Sequence, residues 1–348
     1  MITGSTILYV LIFTTGLIFL STLALAGYTL LLRYRNYLKG QTWKRLEARW
    51  EPHLLAVLSG SKPPGDMREV VDEGEGLYFV DFVERYARRV RGGERDLLSE
   101  TVRPYLAPVK NSVARGDPEQ RARAVQTLNL LGFNDYHDVI IEALEDPSPL
   151  VAMIAARSLM RREHPRFTED VIKKMHRFSS WSRNFLASML ASVGPDASPA
   201  LRGALRDPSQ PPWVRTVCAD ALIQLNDLQA ADLAATLIQS EQDRELAAAC
   251  LRILARLGRE EHVPSIRPLC DSSDFVIRAH AVRAISRLAP FKERELIESA
   301  LKDSSSWVAI QAAQGLKESG ALDILRDIAL TDHPRADLAK QILSEKMR

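Results

Sequence analysis

From residue 1 to residue 32 the chain contains no Asp, Glu, Lys or Arg, and a stretch that long without charge is not ordinary water-facing surface. It has three cysteines, Cys218, Cys250 and Cys270, an odd number with no Cys-x-x-Cys spacing. That favours buried free thiols in a reducing compartment over a disulfide or a thiolate metal set. The seven histidines include no His-x-x-x-His pair. Gly-x-Ser-x-Gly and the Walker glycine loop are also missing, so the zinc-protease helix, the hydrolase elbow and the P-loop are all excluded. Excess charge of one sign is missing too. Residues 117–348 carry 30 Lys and Arg against 32 Asp and Glu, a balance unlike that of a general polyanion binder.

The uncharged stretch is itself informative. A bilayer core about 30 Å thick is crossed by about 20 apolar helical residues, and residues 7–32 are long enough to span it with some tilt. No basic residue precedes the run, and it continues past the small residues Ala24-Leu25-Ala26 to Leu32. Both features predict a retained anchor and argue against a cleaved leader. Arg33, Arg35, Lys39, Lys44 and Arg45 follow closely. Lys and Arg near a span stay cytoplasmic, so the expected orientation places the amino terminus outside and the remainder in the cytoplasm.

Beyond residue 116 the sequence repeats itself. Leu144-Glu145-Asp146-Pro147-Ser148, Leu205-Arg206-Asp207-Pro208-Ser209, Leu269-Cys270-Asp271-Ser272-Ser273 and Leu301-Lys302-Asp303-Ser304-Ser305 are each followed by an Ala-rich apolar run. With weaker copies, the starts fall at 117, 146, 179, 207, 240, 271, 303 and 332, a spacing near thirty. Asp before Pro predicts a helix start, with Asp capping free N–H groups and Pro at the first position. The Ala-Ala-x-x-Leu run predicts an apolar stripe small enough for close helix approach. Gly132, Gly194 and Gly258 stand where second helices should end, and segments such as 137–144 and 232–238 supply first helices. One hairpin cannot bury its own stripe, so neighbours must stack.

Between the anchor and the repeats, Trp43, Leu46, Trp50 and Val57 share one helical face. Residues 77–90 and 97–106 predict two further amphipathic helices broken at Gly92-Gly93, forming the cap that a solenoid end requires. The expected organisation is therefore a transmembrane anchor over 1–33, juxtamembrane helices and an N-terminal cap over 34–116, and an α-solenoid over 117–348. The fold class is all-α.

The pattern L-x-D-P-S-x-x-V-R-x-x-A-A-x-A-L resembles HEAT repeats of the short, PBS-lyase-like kind, in about seven or eight units. With the segment from Trp43 to Pro52, the whole chain resembles bacterial single-pass HEAT-repeat proteins. That resemblance implies an inner-membrane scaffold or adaptor that binds a protein partner, associated with envelope or exopolysaccharide machinery such as a membrane glycosyltransferase. It implies no catalysis and no cofactor. HEAT-repeat hydroxylases use paired His-Glu dipeptides, whereas this chain has Glu163-His164 and Glu261-His262 in the reverse order. Alternatives from other classes are a bilin-lyase-like or nucleic-acid-processing HEAT enzyme, or a self-assembling structural protein.

Several residues are candidates for contact. Thr15, Thr22, Ala26 and Thr29 lie on one face of the apolar helix and suit helix packing in lipid, or hydroxyls bonded to their own backbone. Arg33, Arg35 and Lys39 suit lipid headgroups, and Trp43 suits the membrane interface or packing against the cap. Trp213, Phe275 and Trp307, near second-helix starts, are candidate partner contacts, with inter-repeat packing as the alternative. The resemblance further implies that Arg183, Arg215 and Arg278 form a ladder with loop aspartates of neighbouring repeats, for which Asp207, Asp271 and Asp303 are the expected partners.

Overall fold

A computed structural model describes residues 4–345 of the chain. Among the described residues every regular element is helical, and the chain divides into two compact units, Met1–Tyr136 and His137–Arg348.

The first unit opens with one uninterrupted helix, α1 (Gly4–Leu58). Its section Ile12–Leu58 is the one helix among the described residues long and apolar enough to cross a membrane, and its most apolar window is not buried within the chain. The same helix then becomes core. Leu46, Trp50, Leu54 and Val57, spaced three to four residues apart, are buried. Trp50 is 0 % exposed, and its ring centre lies 5.4 Å from that of Phe79 and 5.7 Å from that of Phe82. Those phenylalanines belong to α2 (Gly76–Ala87), which is followed by α3 (Gly93–Val102), α4 (Ala107–Val113) and α5 (Pro118–Leu131). The turn before α3 needs Gly92, whose φ of 64° is costly for a residue with a Cβ. The expected boundary at 33/34 lies inside α1, and α5 clusters with the first unit. The division falls within α6 (Phe133–Glu142), where the Tyr136 backbone leaves helical geometry.

The second unit is a run of helical hairpins. Its second helices are α7 (Pro149–Leu159), then α9 (Arg183–Ala191) after α8 (Phe167–Lys173), and α11 (Pro212–Gln224) after α10 (Ser198–Arg206). The series continues with α12 (Gln229–Leu237) and α13 (Arg244–Leu257), α14 (Val263–Ile266) and α15 (Phe275–Leu288), α16 (Arg294–Leu301) and α17 (Ser306–Glu318), and finally α18 (Leu322–Leu330) and α19 (Ala336–Ser344). From α9 to α17 each second helix packs on the next. The predicted small stripe is at these seams: Ala219 and Ala221, Ala248 and Ala249, Ala281 and Ala284, and Ala312 and Ala313 are all buried. Gly315 shows why small residues are required there, since a Cβ on it would lie 2.6 Å from Ser286 Cβ on α15.

The repeat turn differs from its predicted form. Asp117 caps α5 as expected, accepting the Gln120 N–H at 2.8 Å with Pro118 in the first turn. Asp146, Asp207 and Asp303 instead accept the N–H two residues on, from Ser148, Ser209 and Ser305, and the helix begins afterwards. The short carboxylate closes its own turn, which removes it from the cap position. In the fourth copy Asp274, three residues beyond Asp271, caps α15. Gly132 and Gly258 occupy the C-cap positions of α5 and α13, while Gly194 lies two residues past the C-cap of α9 with φ 98°.

Candidate interaction surface

The repeat loops hold arginine–acid clamps. Arg278 donates from Nε to Asp303 Oδ2 at 2.9 Å and from a terminal nitrogen to Asp303 Oδ1 at 3.1 Å, while it also bonds the Ser272 carbonyl at 2.8 Å. Arg215 is buried, donates to the Leu205 carbonyl at 2.9 Å and pairs with Glu241 at 3.1 Å. Both arginines reach the loop of the following repeat. Of the three expected aspartates, only Asp303 serves. The copy after that of Arg215 opens at Ser240-Glu241, so Glu241 is the acid within reach and Asp271 belongs one repeat further on. Arg183, in the first turn of α9, reaches Asp220 on α11 at 3.2 Å. Asp207 is engaged by Ser209, whose two hydrogen bonds hold its carboxyl below the ordinary value. The ladder is structural: Arg215 and Arg278 also donate to loop carbonyls, satisfying backbone acceptors at the repeat turns.

The candidate aromatics occupy related places at second-helix starts but differ in exposure. Phe275 is 46 % and Trp307 47 % exposed, whereas Trp213 is half-buried. Leu150, in the first turn of α7, is 46 % exposed and joins this set. Its position two residues after Ser148 matched the repeat, and being aliphatic it carried no aromatic signal. The Arg244 guanidinium lies 5.9 Å from the Phe275 ring centre and pairs with Asp274 at 2.8 Å.

In the first unit, Trp43 is half-buried against Tyr78, 5.7 Å between ring centres, with the Arg85 guanidinium 4.6 Å from its ring. These are contacts with α2. Arg33 and Arg35 are exposed, and the Lys39 side chain lies outside the described residues. Thr22 and Thr29 donate to the carbonyls of Ile18 and Ala26 at 2.7 and 2.8 Å, and Thr15 and Ala26 are exposed on the same helix.

Among the described residues one group has metal-ligand composition, namely Asp232, Glu261 and His262. His262 is buried, accepts the Arg259 N–H at Nδ1 at 2.9 Å and places Nε2 2.9 Å from Asp232 Oδ1. Arg259 pairs with both carboxylates. Both imidazole nitrogens are engaged and a guanidinium already supplies the positive charge, so the group acts as a clamp at the α13–α14 turn.

Residues 232–317 match the family model described as HEAT repeats, and the chain carries HEAT-like repeats. No curated protein matches the chain. Among solved structures, the complex of CpcE and CpcF of phycocyanin lyase from Nostoc sp. PCC7120 is similar at 20 % identity and TM-score 0.34, over 68 % of this chain and 85 % of that one. The karyopherin Kap121p bound to the extreme C-terminus of the protein phosphatase Cdc14p is similar at 12 % identity and TM-score 0.44, over 77 % of this chain. The matched part spans 36 % of Kap121p. An engineered protein is similar at 15 % identity and TM-score 0.37, over 75 % and 77 % of the two chains.

Proposed function

We propose that the chain is a non-catalytic scaffold whose apolar helix spans a bacterial inner membrane and whose repeat unit binds a protein partner in the cytoplasm. The observation that carries this reading is the continuity of α1. Its apolar section runs without interruption into Leu46, Trp50, Leu54 and Val57, which are core of the first unit. Whatever holds the apolar section therefore holds a folded body. Arg33, Arg35 and Lys39 follow the span and favour the cytoplasmic orientation, where they meet anionic headgroups at about 1 kcal/mol each. Thr15, Thr22, Ala26 and Thr29 are the face available to a neighbouring span.

Partner contact falls to the exposed aromatics Phe275 and Trp307 and to the half-buried Trp213; large, rigid rings contribute most to such contacts. Tethering confines scaffold and partner to one thin layer, which raises effective concentration without any new contact. A membrane enzyme of envelope or exopolysaccharide synthesis, such as a glycosyltransferase, is the partner class implied by the resemblance to single-pass HEAT-repeat proteins.

Fractionation tests the tether. The full chain should remain in the membrane after carbonate washing, deletion of residues 1–32 should release it, and protease added to spheroplasts should spare the repeat unit. Release of the full chain by carbonate, or digestion of the repeats in intact spheroplasts, would refute the topology.

A further inference from the structure

On the second unit, a strip of arginines crosses two adjacent second helices. Arg252 and Arg256 lie four residues apart on α13, and His280, Arg283 and Arg287 share a face of α15 at spacings of three, four and seven. The two helices pack against each other. Arg252 and Arg283 both act on His280, which burial and these two cations push down to about 4, so the imidazole is neutral at neutral pH. Arg287 is lowered by burial and by the nearby Arg256 and Arg283. The carboxylates are at the margins: Asp220 on α11 takes Arg252 at 2.8 Å, and Glu318 on α17 takes Arg283 at 2.6 Å and Arg287 at 3.0 Å. Arg256 is exposed and makes no ion pair among the described residues.

We infer that this strip is a docking surface for an acidic, extended segment of a partner protein. The inference rests on the scaffold reading and gives its partner a chemistry. Asp220 and Glu318 are each shared between two arginines, Asp220 with Arg183 as well as Arg252, so the strip keeps an excess of positive charge that a bound anion complements. Packed helices lie about 8–10 Å apart and an extended chain rises about 3.3 Å per residue. A segment crossing the strip thus meets a new helix about every third residue, and acidic side chains at that interval match it. Guanidinium groups suit carboxylates because two N–H donors meet two oxygens. A nucleic acid fits less well. Asp220 on α11 and Glu318 on α17 close the track at both ends, so a short run of carboxylates fits between them over α13 and α15, whereas a continuous phosphate backbone would pass over both acids.

The test uses the full chain in a non-ionic detergent and fluorescence anisotropy with a fluorescein-labelled oligoglutamate of about six residues, a length that crosses the two helices of the strip at that rise. Oligoglutamate should bind, oligoglutamine should not, and affinity should fall as salt is raised. The double variant Arg256→Gln/Arg287→Gln should bind about tenfold more weakly, while Arg326→Gln on α18 should bind as the parent does. Thermal unfolding of each variant checks that it is folded, and Arg256→Glu, at an exposed site, supplies an independent loss of binding should the double variant prove unstable. Absence of oligoglutamate binding, equal binding by the double variant and Arg256→Glu, or tighter binding of a single-stranded oligonucleotide of equal length would overturn the inference. Crosslinking separates this outcome from failure of the scaffold reading. A partner recovered undiminished by the double variant would overturn the strip alone, whereas oligoglutamate binding with no partner recovered would overturn the scaffold alone.

Discussion

Arg278 and Asp303 form a two-pronged ion pair across a repeat junction, with Nε 2.9 Å from one carboxylate oxygen and a terminal nitrogen 3.1 Å from the other. The same Asp303 closes its own turn through the Ser305 N–H at 2.7 Å. A single carboxylate therefore fixes both the loop and its distance from the preceding repeat, and the Asp-Ser-Ser motif is best understood as a joint.

Replacement of Asp303 by Asn keeps the turn acceptor and removes the charge. Charge-assisted hydrogen bonds contribute about 1.5–3 kcal/mol, so Asp303→Asn should lower stability by about 2 kcal/mol at neutral pH in urea unfolding. Arg278 is the main reason the Asp303 carboxyl sits below its ordinary 3.8. The contribution is present above that value and is lost as pH falls through the lower folded value. The gap between parent and variant should close once pH has fallen through that lowered value, and a gap that persists there would assign the effect to the turn.

Two helix glycines should respond oppositely to alanine. At Gly315 a Cβ would lie 2.6 Å from Ser286 Cβ and 3.0 Å from the Arg283 carbonyl, so overpacking of about 1–3 kcal/mol should outweigh the helix-propensity gain of about 1 kcal/mol. At Gly203 on α10 nothing lies within 4 Å, and Gly203→Ala should stabilise by about that propensity gain. Thermal denaturation of both variants decides the point; equal effects would contradict the close approach of α15 and α17.

Trp50→Ala should cost about 3–5 kcal/mol, because the ring is fully buried against Phe79 and Phe82. Limited proteolysis should then cut between residues 59 and 136 while the repeat unit stays intact. A variant as resistant as the parent would show that α1 does not anchor the first unit.

Burial pushes the thiols of Cys218, Cys250 and Cys270 up to about 12, so little thiolate exists near neutral pH and alkylation should be slow. Cys218 and Cys250 are buried and Cys270 is half-buried, so Cys270 should be labelled first in native protein and all three after denaturation. Prompt labelling of Cys218 or Cys250 would contradict the packing of α11 and α13.

The repeat architecture was legible because its signals are local: a turn-forming Asp, small residues at helical spacing and a period near thirty. The continuity of α1 was not, since it runs through Gly40 and Pro52, residue types that ordinarily weaken or end a helix. Ladder partners were legible only in part, because Arg215 takes a glutamate in a copy whose Asp-Pro signature is absent. The arginine strip was hidden by summation. Its charges cancel in the count for residues 117–348 and become a local excess only once α13 and α15 are side by side. At Trp43 the sequence left interface and packing open; the structure places the ring on Tyr78 and Arg85.

The most direct test of the scaffold is crosslinking in native membranes, followed by purification of the tagged full chain and mass spectrometry. The account predicts one dominant membrane-protein partner in near-equal amount, with crosslinks concentrated around Trp213, Phe275 and Trp307. Recovery of the full chain alone, or only of further copies of itself, would contradict it.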